Sequence, residues 1–189
     1  MNKSLLFEKF PYLESDELIL KQVECKDVDD LFEILTNKSL FKYRPGNPLK
    51  SLDAVKNVIG HYERDFNKRK TIFLGIYYKK ADNKLVGIAE IFDFDDKASR
   101  VEVGYTVNDN FWGKGIATNT TKMMLDFLFN RIDVNSIQAT PMSLNKKSSN
   151  VLERCGFKHE GTLRQVKYWT GVGIVDLEMY SILKTDYIR

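Results

Sequence analysis

Three apolar runs joined by tight polar turns, followed at once by a glycine-bearing loop and a helix, limit what this chain can fold into more than any other feature. Residues 71–78, 84–94 and 100–107 have strand length and strand composition, and Asp82-Asn83 and Asp93-Phe94-Asp95-Asp96 supply turns between them. The third run alternates: Val101, Val103, Tyr105 and Val107 share one face, Glu102, Gly104 and Thr106 the other. A doubly wound fold needs a helix between successive strands, so three strands in a row exclude it. Short turns make the run antiparallel, whereas the strand–helix–strand unit that follows needs a parallel crossover. The sheet must be mixed.

The rest of the chain fits around that sheet. Leu18-Ile19-Leu20-Lys21-Gln22-Val23 reads as a strand, and residues 27–36 carry Val28, Leu31, Phe32 and Leu35 at helical spacing. Arg44-Pro45-Gly46-Asn47-Pro48 can continue neither element and is a loop. Ser51 caps a helix whose apolar face is Leu52, Val55, Val58, Ile59, Tyr62 and Phe66. A helix over 116–130, a strand over 136–140, a short helix over 148–155 and a last strand over 174–183 complete the order. The expectation is one α/β domain over residues 1–189, with residues 1–12 as a loosely held arm. Its mixed central sheet should have about six or seven strands, flanked by about four helices.

Composition narrows the function classes. A chain of 189 residues with 43% hydrophobic content can bury one good core. Its charge, 29 minus 26 or +3, is too small for a dedicated nucleic-acid or anionic-membrane binder. Two cysteines far apart, Cys25 and Cys155, and two histidines, His61 and His159, point away from a metal site or a disulfide scaffold. Leu5-Leu6-Phe7 is too short for a signal-peptide core, and the longest apolar run, over 72–78, is strand-sized. A cytoplasmic protein is expected.

Asn110-Phe111-Trp112-Gly113-Lys114-Gly115-Ile116-Ala117 lies between a strand and a helix. Glycines allow a tight turn and close approach of a ligand to the backbone, and a helix start offers free N–H groups and partial positive charge to a phosphate. A Walker loop would need Gly-Lys-Ser/Thr where this chain has Gly-Lys-Gly. A dinucleotide fingerprint would need Gly or Ala at Thr118, and an open parallel sheet. Taken alone, the loop also fits a strand–helix turn that holds nothing.

Further motifs follow in order. Val101-Glu102-Val103-Gly104-Tyr105 and Trp112-Gly113-Lys114-Gly115-Ile116-Ala117-Thr118 resemble the acyl-CoA-binding core of the GNAT acyltransferases. Asn145-Lys146-Lys147-Ser148, Val151-Leu152-Glu153-Arg154-Cys155-Gly156-Phe157 and Glu160-Gly161-Thr162-Leu163-Arg164 extend the resemblance, toward the branch of the ribosomal-protein N-terminal acetyltransferases RimJ and RimL. It spans roughly residues 13–183, with its specific motifs between Glu102 and Arg164. Departures are Asn110, where the family often has Gln or Arg, and Cys155.

The resemblance implies an acetyl-CoA-dependent N-acetyltransferase. The amides of Gly113, Lys114, Gly115, Ile116, Ala117 and Thr118 would cradle the CoA pyrophosphate, and the strand edge at Gly104, Tyr105, Thr106 and Val107 would pair with the pantetheine arm. Trp112 would pack either on the cofactor or in the core. Asn145 would bond the cofactor arm or simply cap a helix, and Ser148 would donate to the departing thiolate or likewise cap. The acceptor is an amine, on a peptide or protein N-terminus or a small molecule, and the family admits a homodimer. Polyamine or aminoglycoside acetylation, and a CoA-binding module without catalysis, are the alternatives; Asp93, Asp95 and Asp96 are what a polycation would favour.

An α-amine, with pKa near 7.7–8.0, needs little help to lose its proton, whereas a lysine near 10.4 needs a base. Glu102, on the strand face before the cofactor edge, is the first candidate base, and Glu90, interrupting an apolar strand, the second. Lys167 stands where RimL-type relatives can place a glutamate, which leaves the base and a ribosomal-protein substrate open. Cys155 reads as packing.

Overall fold

A computed structural model describes residues 1–187. Its eight strands form one sheet: β1 (Leu13–Glu14), β2 (Leu18–Lys21), β3 (Thr71–Tyr78), β4 (Lys84–Asp95), β5 (Arg100–Val107), β6 (Ser136–Ala139), β7 (Lys158–Trp169) and β8 (Gly173–Leu183). Spatial order is β1-β2-β3-β4-β5-β6-β8-β7. β2 to β5 form the antiparallel meander, β5 and β6 are parallel, and the β7–β8 hairpin returns antiparallel to β6. The mixed α/β architecture is as read from the sequence, with eight strands in place of six or seven.

Four helices longer than one turn cover the sheet. α2 (Val28–Leu35) and α3 (Leu52–Asn67) follow a one-turn α1 (Lys3–Leu6); α4 (Ile116–Asp126) and α5 (Lys146–Arg154) precede a one-turn α6 (Lys184–Tyr187). Ser51 caps α3 as expected, accepting from the Ala54 N–H. α2 and α3 bury Leu31, Ile34, Val55 and Ile59 on one face of the sheet; Met124, Leu125 and Leu152 of α4 and α5 pack on the other. Helix α4 runs into a wider turn over Phe127–Arg131, so the helical reading of 116–130 holds with a change of pitch at its end.

Two readings need correction. The N-terminal segment is docked and not a loose arm. Leu6 is fully buried, Phe10 stacks on Phe66 at 3.9 Å, and the Asn2 N–H donates to the Ile132 carbonyl at 2.7 Å. Three apolar side chains in the first ten residues bury enough surface to offset the ordering cost. Helix α5 begins at Lys146, not at residue 148, because Asn145 caps it by accepting from the Ser148 N–H.

The consequence for function lies between β5 and β6. They pair only at Arg100, Val101 and Glu102, whose partners are Ser136, Ile137 and Gln138. Beyond Glu102, β5 continues against β4 as far as Val107, while β6 stops at Ala139. One edge of residues 103–107 is thus open, and a cleft runs along it.

Candidate active site

The glycine loop closes one end of this cleft. Gly113 and Gly115 have φ of +75° and +77°, and Gly115 is the N-cap of α4 with no side chain capping the helix. A Cβ built at either position meets no atom within 4 Å. Glycine is therefore needed for backbone conformation, and the space above it is open. The first-turn amides of α4 lack intrahelical acceptors by geometry, so an anion placed there meets donors and the positive end of the helix dipole.

A cleft of about 250 Å³ connects this cradle to the open edge of β5. Its walls include Tyr105, Thr106, Val107, Trp112, Gly113, Gly115, Ile116, Ala117, Thr118, Asn145 and Ser148. Lys114, named with them in the sequence, turns its side chain onto the Phe111 ring at 5.0 Å and does not line the cleft. Trp112 is 41% exposed and not a core residue. Its Nε1 donates to the Val107 carbonyl at 2.8 Å, and Lys147 Nζ lies 4.4 Å from the ring centroid.

Asn145 and Ser148 are joined side chain to side chain as well as through the helix cap. Asn145 Oδ1 accepts from the Ser148 N–H at 3.3 Å, and its Nδ2 donates to Ser148 Oγ at 2.9 Å. The Tyr105 hydroxyl donates to the same Oγ at 3.4 Å. With its oxygen accepting, Ser148 keeps its own proton for a third partner. Burial pushes the Tyr105 phenol up to about 12, against the opposing effect of the Ser148 hydroxyl, so it stays protonated at neutral pH. The alternation of β5 puts Tyr105 on the face of Val101, Val103 and Val107, but nothing in the sequence shows its hydroxyl reaching Ser148.

A second cavity, of about 300 Å³, adjoins the first. Tyr43, Arg44, Tyr105, Thr106, Asn145 and Ser148 line both, so these six residues mark the junction. Glu90 and Glu102 line the second cavity only. They are diagonal neighbours on one sheet face, since Glu90 registers with Gly104 and Phe92 with Glu102. Burial raises Glu102 above the ordinary carboxylate range, opposed by the hydrogen bond from Thr140 Oγ1 and by Lys167 across the cavity. Burial also raises Glu90, with Arg44 opposing. The sequence singles out neither Tyr43 nor Trp169 and reads Arg44 only as part of a loop; the acceptor pocket is expected broadly on loops such as 40–49 and 166–173, and these three residues of those loops do line the cavity.

The remaining candidates are accounted for elsewhere. Cys155 is buried, and its Sγ lies 3.7 Å from the Thr118 carbonyl, where burial pushes the thiol up; it packs α5 against α4. Among the described residues, no His, Cys, Asp or Glu group is arranged to hold a metal ion. Nor is any helix among them long and apolar enough to cross a membrane.

Residues 17–158 match the family described as acetyltransferase (GNAT) domain. The chain belongs to the GNAT acetyltransferase family. This GNAT protein is an acetyl-CoA-dependent N-acetyltransferase. It is 28% identical over 176 residues to the uncharacterized N-acetyltransferase YoaA of Bacillus subtilis, covering 93% of this chain and 98% of YoaA. Among solved structures it is similar to the microcin C7 self-immunity acetyltransferase MccE, in complex with acetyl-CoA and AMP. That match has TM-score 0.79 and 27% identity, over 89% of this chain and 93% of the other. Mycobacterium smegmatis RimJ, in complex with CoA-disulfide, shares the fold at TM-score 0.83 and 20% identity, over 95% and 89% of the two chains.

Proposed function

We propose that this acetyltransferase moves the acetyl group to a primary amine, on a peptide N-terminus or a small molecule, by direct attack in a ternary complex. The observation that carries the reading is the junction of the two cavities: Ser148, Tyr105 and Asn145 stand where a cofactor lying along β5 would meet an acceptor entering past Glu90 and Glu102. The pyrophosphate falls to the amides of Gly113, Lys114, Gly115, Ile116, Ala117 and Thr118, and the pantetheine arm to the open edge at Tyr105, Thr106 and Val107.

The amine nitrogen forms a bond to the thioester carbonyl carbon, the carbon–sulfur bond breaks, and the amine proton leaves. Ser148 supplies a proton or hydrogen bond to the departing sulfur, with its hydroxyl oriented by Asn145 and backed by Tyr105. Glu102 takes the amine proton, and Glu90 is the second candidate. Oxyanion stabilisation by a preorganised backbone N–H contributes about 3–4 kcal/mol.

The RimJ/RimL-like branch, cytoplasmic location and a homodimer belong to the same reading. For the dimer the support is the outer face of hairpin β7–β8, where the register partners Tyr168 and Ile174 are both exposed. The test is calorimetric titration with acetyl-CoA, then thiol release against Ser- and Ala-starting peptides, an Nα-blocked lysine peptide, spermidine and an aminoglycoside. Saturable binding with selective turnover is expected. Absence of binding refutes the cleft assignment, and binding without turnover favours the silent CoA module.

A further inference from the structure

The acceptor-side cavity is lined by two cations without an ion-pair partner. Among the described residues, neither the half-buried Arg44 side chain nor the exposed Lys167 side chain lies within ion-pair distance of a carboxylate. Arg44 is half-buried, its guanidinium lies 5.4 Å from the Phe41 ring centroid, and its Nη1 is fully buried without a hydrogen-bond partner. The Tyr62 hydroxyl beside it is also buried, and Nη1 remains without a partner. A half-buried guanidinium with one buried nitrogen left without a partner is costly unless something completes it. Arg44 also lines both cavities, as Ser148 does.

We infer that the acceptor is a small zwitterionic amine of the α-amino-acid class, with its carboxylate on Arg44 and its amine toward Glu90 and Glu102. This rests on the acetyl-transfer reading above and narrows it. In an α-amino acid the carboxylate carbon is two bonds from the nitrogen, so its receptor must stand beside the reacting centre. Arg44 does, and its planar fork suits a carboxylate bidentately. Lys167, on the opposite wall near Glu102, adds positive field without standing at the junction.

Competing acceptors fit less well. A polycation needs a net acidic cavity, but here two carboxylates face two cations. The acidic turn outside is already engaged: Asp93 pairs with Arg100, Asp96 with Lys3, and Asp95 accepts from the Lys97 and Ala98 amides. A peptide N-terminus presents a neutral carbonyl where Arg44 stands. A volume of about 300 Å³ also lies at the lower end for ligand sites, which suits a small molecule walled by Tyr43, Phe92 and Trp169.

The experiment compares matched pairs, free amino acid against its carboxamide, for aliphatic and aromatic side chains, with spermidine and a Ser-starting tetrapeptide alongside. Thiol release should give kcat/KM about tenfold to hundredfold higher for the acid than for the amide, the range expected for a hydrogen bond to a charged group. Arg44→Met should bring that ratio toward one, chiefly through KM, and Lys167→Met should lower it less. A wild-type preference for amide, peptide or spermidine overturns the inference, as does an unchanged ratio in Arg44→Met. If no amine is acetylated, calorimetric titration of the same pairs into the CoA-saturated protein decides. Selective binding of the acid upholds the zwitterionic site while acetyl transfer to these amines fails, and equal binding or none overturns the site as well.

Discussion

Replacing Gly115 by valine tests the phosphate cradle most directly. At φ +77° an L-residue occupies the left-handed region, which costs about 1–2 kcal/mol before any contact is counted. No protein atom lies within 4 Å of the added Cβ, so none of that cost comes from collision inside the fold. For a chain of this size it corresponds to a fall in Tm of about 2–8 °C. The larger effect falls on binding. The new side chain enters the open space above the loop, and any relaxation of Gly115 out of the left-handed region re-aims the following amides. Loss of two charge-assisted hydrogen bonds, at about 1.5–3 kcal/mol each, weakens acetyl-CoA binding by at least about a hundredfold. Gly60→Ala in α3 is the control: its Cβ also meets nothing, but Gly60 is an ordinary helical residue. It should stabilise by about 0.5–1 kcal/mol and leave binding unchanged. Thermal unfolding and calorimetry on both variants read the two effects separately. Gly115→Val binding acetyl-CoA as tightly as the wild type would refute the assignment.

Ser148→Ala should lower kcat about tenfold or less, with little change in acetyl-CoA affinity, and a wild-type rate would remove Ser148 from the chemistry. Glu102→Gln should flatten the rise of rate with pH. The wild-type carboxyl ionises only as pH climbs through its raised pKa and cannot accept a proton below it, so an unaltered profile would shift the role to Glu90 or water. For Glu90 the linkage runs through stability. Burial makes the folded state bind its proton more tightly than the unfolded state does, so this group's contribution falls as pH rises from the ordinary carboxylate range through the raised value. Glu90→Gln should remove that dependence in denaturant titrations at several pH values, and an unchanged slope would refute it.

What the sequence disclosed and what it hid divide along a physical line. Features carried by consecutive residues were legible: the β5 alternation, the Ser51 cap, and the paired glycines before α4, whose φ values are those such a turn needs. Strand β7 was not, because eleven of its twelve residues lack the burial that makes a strand's period visible. It is also irregular, with register shifts between His159 and Gly161 and between Leu163 and Lys167, and left-handed Gln165 inside the second. The N-terminal arm misled because Leu5-Leu6-Phe7 was weighed for its length alone, while its burial depends on Phe66, Phe94 and Ile132 far along the chain.

The acceptor cavity was legible only coarsely, for the same reason in stronger form. Its walls draw on residues 43–45, 90–92, 102–106, 139–141 and 167–169 together with Thr121, Asn145, Ser148, Leu152 and Leu177, which share no local pattern and meet where β5 and β6 part after Glu102. The cofactor cradle, by contrast, uses one turn's backbone amides, so its chemistry depends on conformation that short motifs encode. Backbone recognition of this kind fixes what all such cradles hold, a phosphate. Side chains drawn from many separate segments are free to change one at a time, and each charge among them alters the acceptor. The proposed carboxylate site at Arg44 is a charge of this kind, which is why its test discriminates between acceptors in a way that the family motifs do not.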